Sequence, residues 1–199
     1  YATINNYGTA TFSAGTISAL TDNAVYNQSS GKVTVSGATL TASKYGIINL
    51  GTATGTTSPA VKVTSGTVKS TGSHVIYNEA TGTVYATGGT IEGVSANSTI
   101  YNKSTGLIKI SGATVKNTSS VTAINNSSTG TVEVISGTIT ANNSAIYNSG
   151  TGKIIVSGGT ITSTSTTTKT AAIDNKSTGT IEVSGGTLTG ANGIYNQET

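Results

Sequence analysis

Threonine, serine and glycine (41, 26 and 26 residues) fill nearly half of this 199-residue chain, and only 17 side chains are charged, 10 Lys against 7 acids. With no Cys there is no disulfide framework, thiolate metal site or cysteine nucleophile. With no Arg and only scattered lysines, base and phosphate recognition is disfavoured, so no nucleic-acid partner is expected. No run of about 18 apolar residues exists to predict a membrane span.

A Ser/Thr/Gly-rich composition invites disorder. Here, however, 34% of the residues are hydrophobic and they recur at fixed places. In chain order, a triplet ending in Asn returns nine times: Ile4–Asn6, Val25–Asn27, Ile47–Asn49, Ile76–Asn78, Ile100–Asn102, Ile124–Asn126, Ile146–Asn148, Ile173–Asn175 and Ile194–Asn196. The steps are 21, 22, 29, 24, 24, 22, 27 and 21 residues. After each triplet comes a polar turn, often closing on Gly, as at Gly31, Gly82, Gly106, Gly130, Gly152 and Gly179. An alternating pair follows, from the weak Ala10/Phe12 through Val33/Val35, Val61/Val63, Val84/Ala86, Ile108/Ile110, Val132/Val134 and Ile154/Val156 to Ile181/Val183. A Gly-containing turn then leads to Thr plus an aliphatic: Thr16-Ile17, Thr39-Leu40, Thr67-Val68, Thr90-Ile91, Thr114-Val115, Thr138-Ile139, Thr160-Ile161 and Thr187-Leu188.

Each unit therefore reads as three short strands and three turns, with the alternation of half-buried strands and no helical period. One unit cannot bury its apolar face alone; stacking lays each Ile or Val over its equivalent in the next coil. The fold class predicted is all-β: a right-handed parallel β-helix (β-solenoid) with a three-sided coil, about eight coils and a mean coil near 24 residues. At ~4.8 Å per rung this is a rod on the order of 40 Å long. An antiparallel sandwich does not require Asn at one place in every unit. Residues 1–199 read as a single solenoid domain, a segment of a longer array or a filament subunit.

The columns suggest roles. Asn6, Asn27, Asn49, Asn78, Asn102, Asn126, Asn148, Asn175 and Asn196 form a predicted ladder at a coil corner. Each amide donates to one neighbour and accepts from the other, and Asn tolerates the left-handed backbone of a sharp corner. The competing reading is a row of ligands for a sugar or ion. Sequons such as Asn27–Ser29 arise from the repeat itself. Tyr26, Tyr77, Tyr101, Tyr147 and Tyr195 occupy the triplet's middle position. Alternation turns them toward solvent, where they make either a stiffening stack or a glycan-binding platform. Lys69, Glu92 and Lys116 alternate in sign up one face, as do Lys109 and Glu133, a register-fixing pattern.

Catalysis finds little support. Glu133 and Glu182 share a column two coils apart with Ile155 between, ~10 Å by rung spacing, too far for a retaining carboxylate pair and borderline for an inverting one. No Asp cluster offers a calcium site, and His74 reads as an isolated corner residue. No enzyme activity, metal or cofactor is expected. Ice binding calls for a regular Thr-x-Thr array. Thr39/Thr41, Thr138/Thr140, Thr160/Thr162 and Thr187/Thr189 fit it, but Lys69, Glu92 and Lys116 interrupt it.

The runs Val156–Ile161 and Ile173–Gly179 resemble the Ser-Gly-Gly-Thr-Ile and Ile-Tyr-Asn repeats of adhesin-like parallel β-helices in large bacterial cell-surface proteins. The resemblance covers the whole chain. It implies an extracellular, cell-surface or secreted setting and a structural role as stalk, adhesin or surface fibre. The expected partners are flanking repeats, the chain itself end to end, or a host or cell-surface glycan. The segments around Leu50–Ala60 and Thr162–Ala172 vary most in length and are where specificity is expected; Ser163–Thr168 also reads as a mobile loop or O-glycosylation target.

Overall fold

The computed structural model describes residues 1–197. All regular structure there is strand, and all pairing is parallel. The triplets become one nine-stranded sheet: Ala2–Asn6, Asn23–Asn27, Ile47–Asn49, Ile76–Asn78, Ile100–Asn102, Ile124–Asn126, Ile146–Asn148, Ala171–Asn175 and Asn192–Asn196. Each strand pairs with the one a full coil away. Register runs Ile4–Val25–Ile47–Ile76–Ile100–Ile124–Ile146–Ile173–Ile194 without a slip. The chain is a β-solenoid of about eight turns.

The alternating pairs and the Thr-aliphatic pairs share a second, ten-stranded sheet. In most coils these two predicted strands run on as one, as in Lys32–Ala42, Leu107–Asn117, Thr131–Ala141 and Lys153–Ser163. They stay separate in the first coil (Thr9–Phe12, Thr16–Ala19) and around Val84–Ala86 and Thr90–Gly93. The expected turn is a bend within the strand, with register shifts between Ile110 and Thr114. Gly137, at φ 101°, takes the left-handed region that a side chain resists.

The interior follows from alternation. Ile47, Ile76, Ile100, Ile124 and Ile146 are fully buried, as are Val33, Val61, Val84, Ile108, Val132 and Ile154 across from them. Leu40, Val68, Ile91, Val115, Ile139 and Ile161 close the core. β-Branched side chains suit this place because like stacks on like at strand spacing.

The asparagine column also faces inward. Asn27, Asn49, Asn78, Asn102, Asn126 and Asn148 are wholly buried. From Asn6 to Asn196, each Nδ2 donates to the next Oδ1 at 2.7–2.9 Å. Its second hydrogen goes to a turn glycine carbonyl of the same coil at 2.8–3.3 Å, from Gly8 and Gly31 to Gly152 and Gly179. Aligned amides polarise one another in this dry setting. Left-handed backbone plays no part: among the described residues only Ser29 combines a side chain with positive φ. The asparagines end ordinary strands, because the amide column, not a sharp corner, selects them.

The ladder also explains the glycine after each triplet. A Cβ on Gly130 would meet the Asn102 amide, the Gly106 carbonyl (2.6 Å) and the Ser104 carbonyl (2.7 Å). Gly106 and Gly179 are crowded in the same way by Asn78 and Asn148.

Asn102→Ala strands an N–H of Asn78 and the Oδ1 of Asn126. It is expected to cost roughly 2–4 kcal/mol, read as a lowered urea midpoint. Gly130→Ala should destabilise by a further route, overpacking, at roughly 1–3 kcal/mol.

Candidate functional site

The second position of each triplet makes a column on the outer side of the same sheet: Asn5, Tyr26, Ile48, Tyr77, Tyr101, Asn125, Tyr147, Asp174 and Tyr195. Simple alternation predicts solvent on this side. The tyrosines of the column are instead half-buried. Ile48 is 8% and Asp174 4% exposed. The reason is the variable segment ahead of each triplet, which rises beside the column and forms a second wall.

A groove of about 770 Å³ lies between column and wall. The column supplies Tyr77, Tyr101, Asn125, Tyr147 and Asp174, and the wall supplies Tyr45, His74, Asn97, Thr122, Asn143 and Lys169, with Lys176 at the rim. Three of the five expected tyrosines are thus brought together; Tyr26 and Tyr195 are not among the lining residues.

At its upstream end the groove is aromatic. Tyr77 and Tyr101 are nearly parallel (5°) with centroids 5.5 Å apart, too close to lie side by side in one plane, so they overlap as an offset stack. Tyr45 packs 5.4 Å from Tyr77, and His74 stacks 5.6 Å from Tyr77 and lies tilted 4.8 Å from Tyr101. His74 is therefore part of the cluster rather than an isolated corner residue. Its Nδ1–H donates to the Ser98 carbonyl at 2.7 Å, since a carbonyl only accepts. Burial pushes the imidazole below its ordinary 6.5, more than the Ser98 bond raises it, so the ring is neutral near pH 7.

Sequence reading did not name Tyr45 and set His74 apart as an isolated residue. The signal was present: each lies two residues before its triplet, in a column that continues with Ser98, Thr122 and Ser144. The column is held by the His74–Ser98 contact and by a Ser98–Thr122 hydroxyl bond of 2.9 Å.

The downstream end is charged. Lys176 Nζ stands 5.5 Å over the Tyr147 ring. The Asp174 carboxyl is pushed up by burial, against the pull of Lys176 and hydrogen bonds from Gln197 (3.2 Å) and Ser144 (3.4 Å).

Elsewhere most of the acids are paired. Glu92 lies 3.1 Å from Lys69 and 3.0 Å from Lys116. Burial would raise its carboxyl, but the two ammonium groups outweigh this and hold it below the ordinary range. Glu133 pairs with Lys109 at 2.9 Å, Glu182 with Lys153 at 2.6 Å, and Glu79 with Lys103 at 2.8 Å. Glu133 and Glu182 both face Ile155, one from each side in register. Among the described residues no three His, Cys, Asp or Glu side chains gather as a metal site. Glu198 lies outside the described residues.

The first threonine of the Thr-aliphatic pair forms an unbroken column from Thr16 to Thr187. The column two residues on is interrupted by Lys69, Glu92 and Lys116.

Comparison with known proteins finds no matching family model, no similar curated protein and no similar solved structure.

The half-buried His74 and the buried Asp174 set opposite pH dependences. The His74 pKa is lowered in the fold, so its contribution to stability is fully present above 6.5 and is lost as pH falls through the folded value. A melting series from about pH 8 to about pH 5 should show this loss, and His74→Phe should flatten it. The Asp174 pKa is raised above 3.8, so its contribution is present at low pH and is lost as pH rises through the folded value. Asp174→Asn should therefore melt higher than the parent at neutral pH, with the gain vanishing toward pH 3.8.

Proposed function

We propose that this solenoid is a non-catalytic structural and interaction element, the rigid rod of an extracellular adhesin stalk or surface fibre. The observation that carries this reading is the unbroken asparagine ladder over nine rungs. The repeat places its most regular side chains in a buried amide column that stiffens the rod and is closed to any ligand. Five of the seven acids (Asp22, Glu79, Glu92, Glu133 and Glu182) are in ion pairs. This favours register chemistry over acid–base work. The likeness to bacterial surface repeats supports the extracellular setting.

A second reading, a glycan-binding solenoid using the tyrosine row, is favoured by one observation. Tyr77, Tyr101 and Tyr147 open into a groove lined by asparagine amides, which combines the flat apolar surfaces and the donors that sugars require. Ice binding has less support, because the threonine array is broken by the Lys–Glu–Lys column at mid-rod.

For the main reading, an antibody against the chain should label intact source cells, and labelling only after permeabilisation would refute it. For the second, a glycan array should give a signal that Tyr101→Ala removes; a blank array leaves the rod alone.

A further inference from the structure

The groove contains an interruption in its aromatic column, and its reading as a binding slot rests on the glycan hypothesis. The aromatic stack through Tyr77 and Tyr101 stops at Tyr101 because the next rung carries Asn125. The column becomes aromatic again at Tyr147. Tyr101 and Tyr147 thus stand two rungs apart, about 9.6 Å at ordinary strand spacing, with only an asparagine side chain between them. An aromatic ring inserted in this gap would continue the stack. A pyranose, thicker than an aromatic ring, calls for about this much room between two ring faces.

The floor and rim are polar. Asn125 Oδ1 accepts from the Ser149 hydroxyl at 3.3 Å, while its Nδ2 has no partner among the described residues. Lys176, from the rung beyond Tyr147, holds its ammonium over that ring, and Lys169 of the same coil lines the same groove. Neither lysine makes an ion pair among the described residues, nor do Lys32 and Lys62 outside the groove, whereas Lys44, Lys69, Lys103, Lys109, Lys116 and Lys153 all do. The one carboxylate at this end, Asp174, is 4% exposed and receives hydrogen bonds from Gln197 and Ser144. The groove therefore presents two cations to its contents and one largely enclosed anion.

We propose that the gap at Asn125 is a slot for one carboxylated pyranose, a uronic or sialic acid unit of a saccharide chain. Tyr101 and Tyr147 pack on the sugar, Asn125 donates to its hydroxyls, and Lys176 with Lys169, one rung beyond Tyr147 in the same groove, draws the carboxylate toward that end.

The test titrates the 199-residue chain with trigalacturonate and sialyllactose, and with their neutral counterparts galactotriose and lactose, by calorimetry. At least one acidic ligand should bind about tenfold more tightly than its neutral partner. The double variant Lys169→Ala/Lys176→Ala should remove that difference. The two acids distinguish a uronic from a sialic source. Asn125→Tyr should extend the tyrosine stack, keep or raise the melting temperature and abolish binding. Should that variant fail to fold, Tyr147→Ala, in a column that already tolerates Asn and Asp, should weaken binding about tenfold. Equal affinity for acidic and neutral sugars overturns this proposal and leaves the glycan reading standing. Binding unchanged by Asn125→Tyr or Tyr147→Ala overturns the slot. Binding of none of the four removes both.

Discussion

Parallel pairing in register is the constraint on which everything else in this molecule rests. Once each coil hydrogen-bonds to the next through its backbone, every side chain meets its own equivalent at strand spacing. Residues are then selected for what they do beside themselves. Isoleucine and valine on themselves make a dry wall. Asparagine does something no charged group of its size can, because it is both donor and acceptor and so bonds to a copy of itself indefinitely. Lysine on lysine repels, which is why Lys69 and Lys116 flank Glu92 rather than each other. Glycine after the triplet belongs to the same logic, since the amide of the coil before occupies the space a Cβ would take.

Registry leaves the chain free only where strands end. The steps of 29 and 27 residues do not disturb pairing, because the surplus is absorbed outside the paired residues. Between Asn49 and Val61 it lengthens one turn, and between Ser163 and Ala171 it builds the wall beside Asp174 and brings Lys169 to the groove. The loop-closure cost of such insertions is small. A rod can thus vary its surface at a corner while its interior stays uniform.

Most of the interior was legible because burial and self-pairing both act on residue type at a fixed period. The inward aliphatics, their parallel register and the Lys–Glu neighbours all follow from spacing alone. The outer column was legible only in part. Its tyrosines were assigned to solvent by alternation, yet they are half-buried and Ile48 and Asp174 in the same column are buried, because alternation describes a strand and ignores the segment that rises beside it. Tyr45 was missed and His74 read as isolated for the same reason: they stand in segments of unequal length, and counting backwards from the triplet is the only register they share. The merging of two short strands across a bent glycine was also hidden, since a bulge preserves pairing while looking like a turn in sequence.

A regular solenoid has a particular difficulty in recognising anything: a perfect column offers the same surface at every rung and no reason to bind at one place. Discrimination begins where a column departs from its own rule. The outer column departs twice in its downstream half, at Asn125 and Asp174, on either side of Tyr147. Each departure removes a ring and puts a polar group where the stack would continue. Asp174 carries a desolvation penalty in its place, which registry does not require, since the column elsewhere accepts Asn or Tyr. A desolvated carboxylate and an interrupted ring stack within three rungs are hard to account for as scaffold. Both fall on rungs that line the groove.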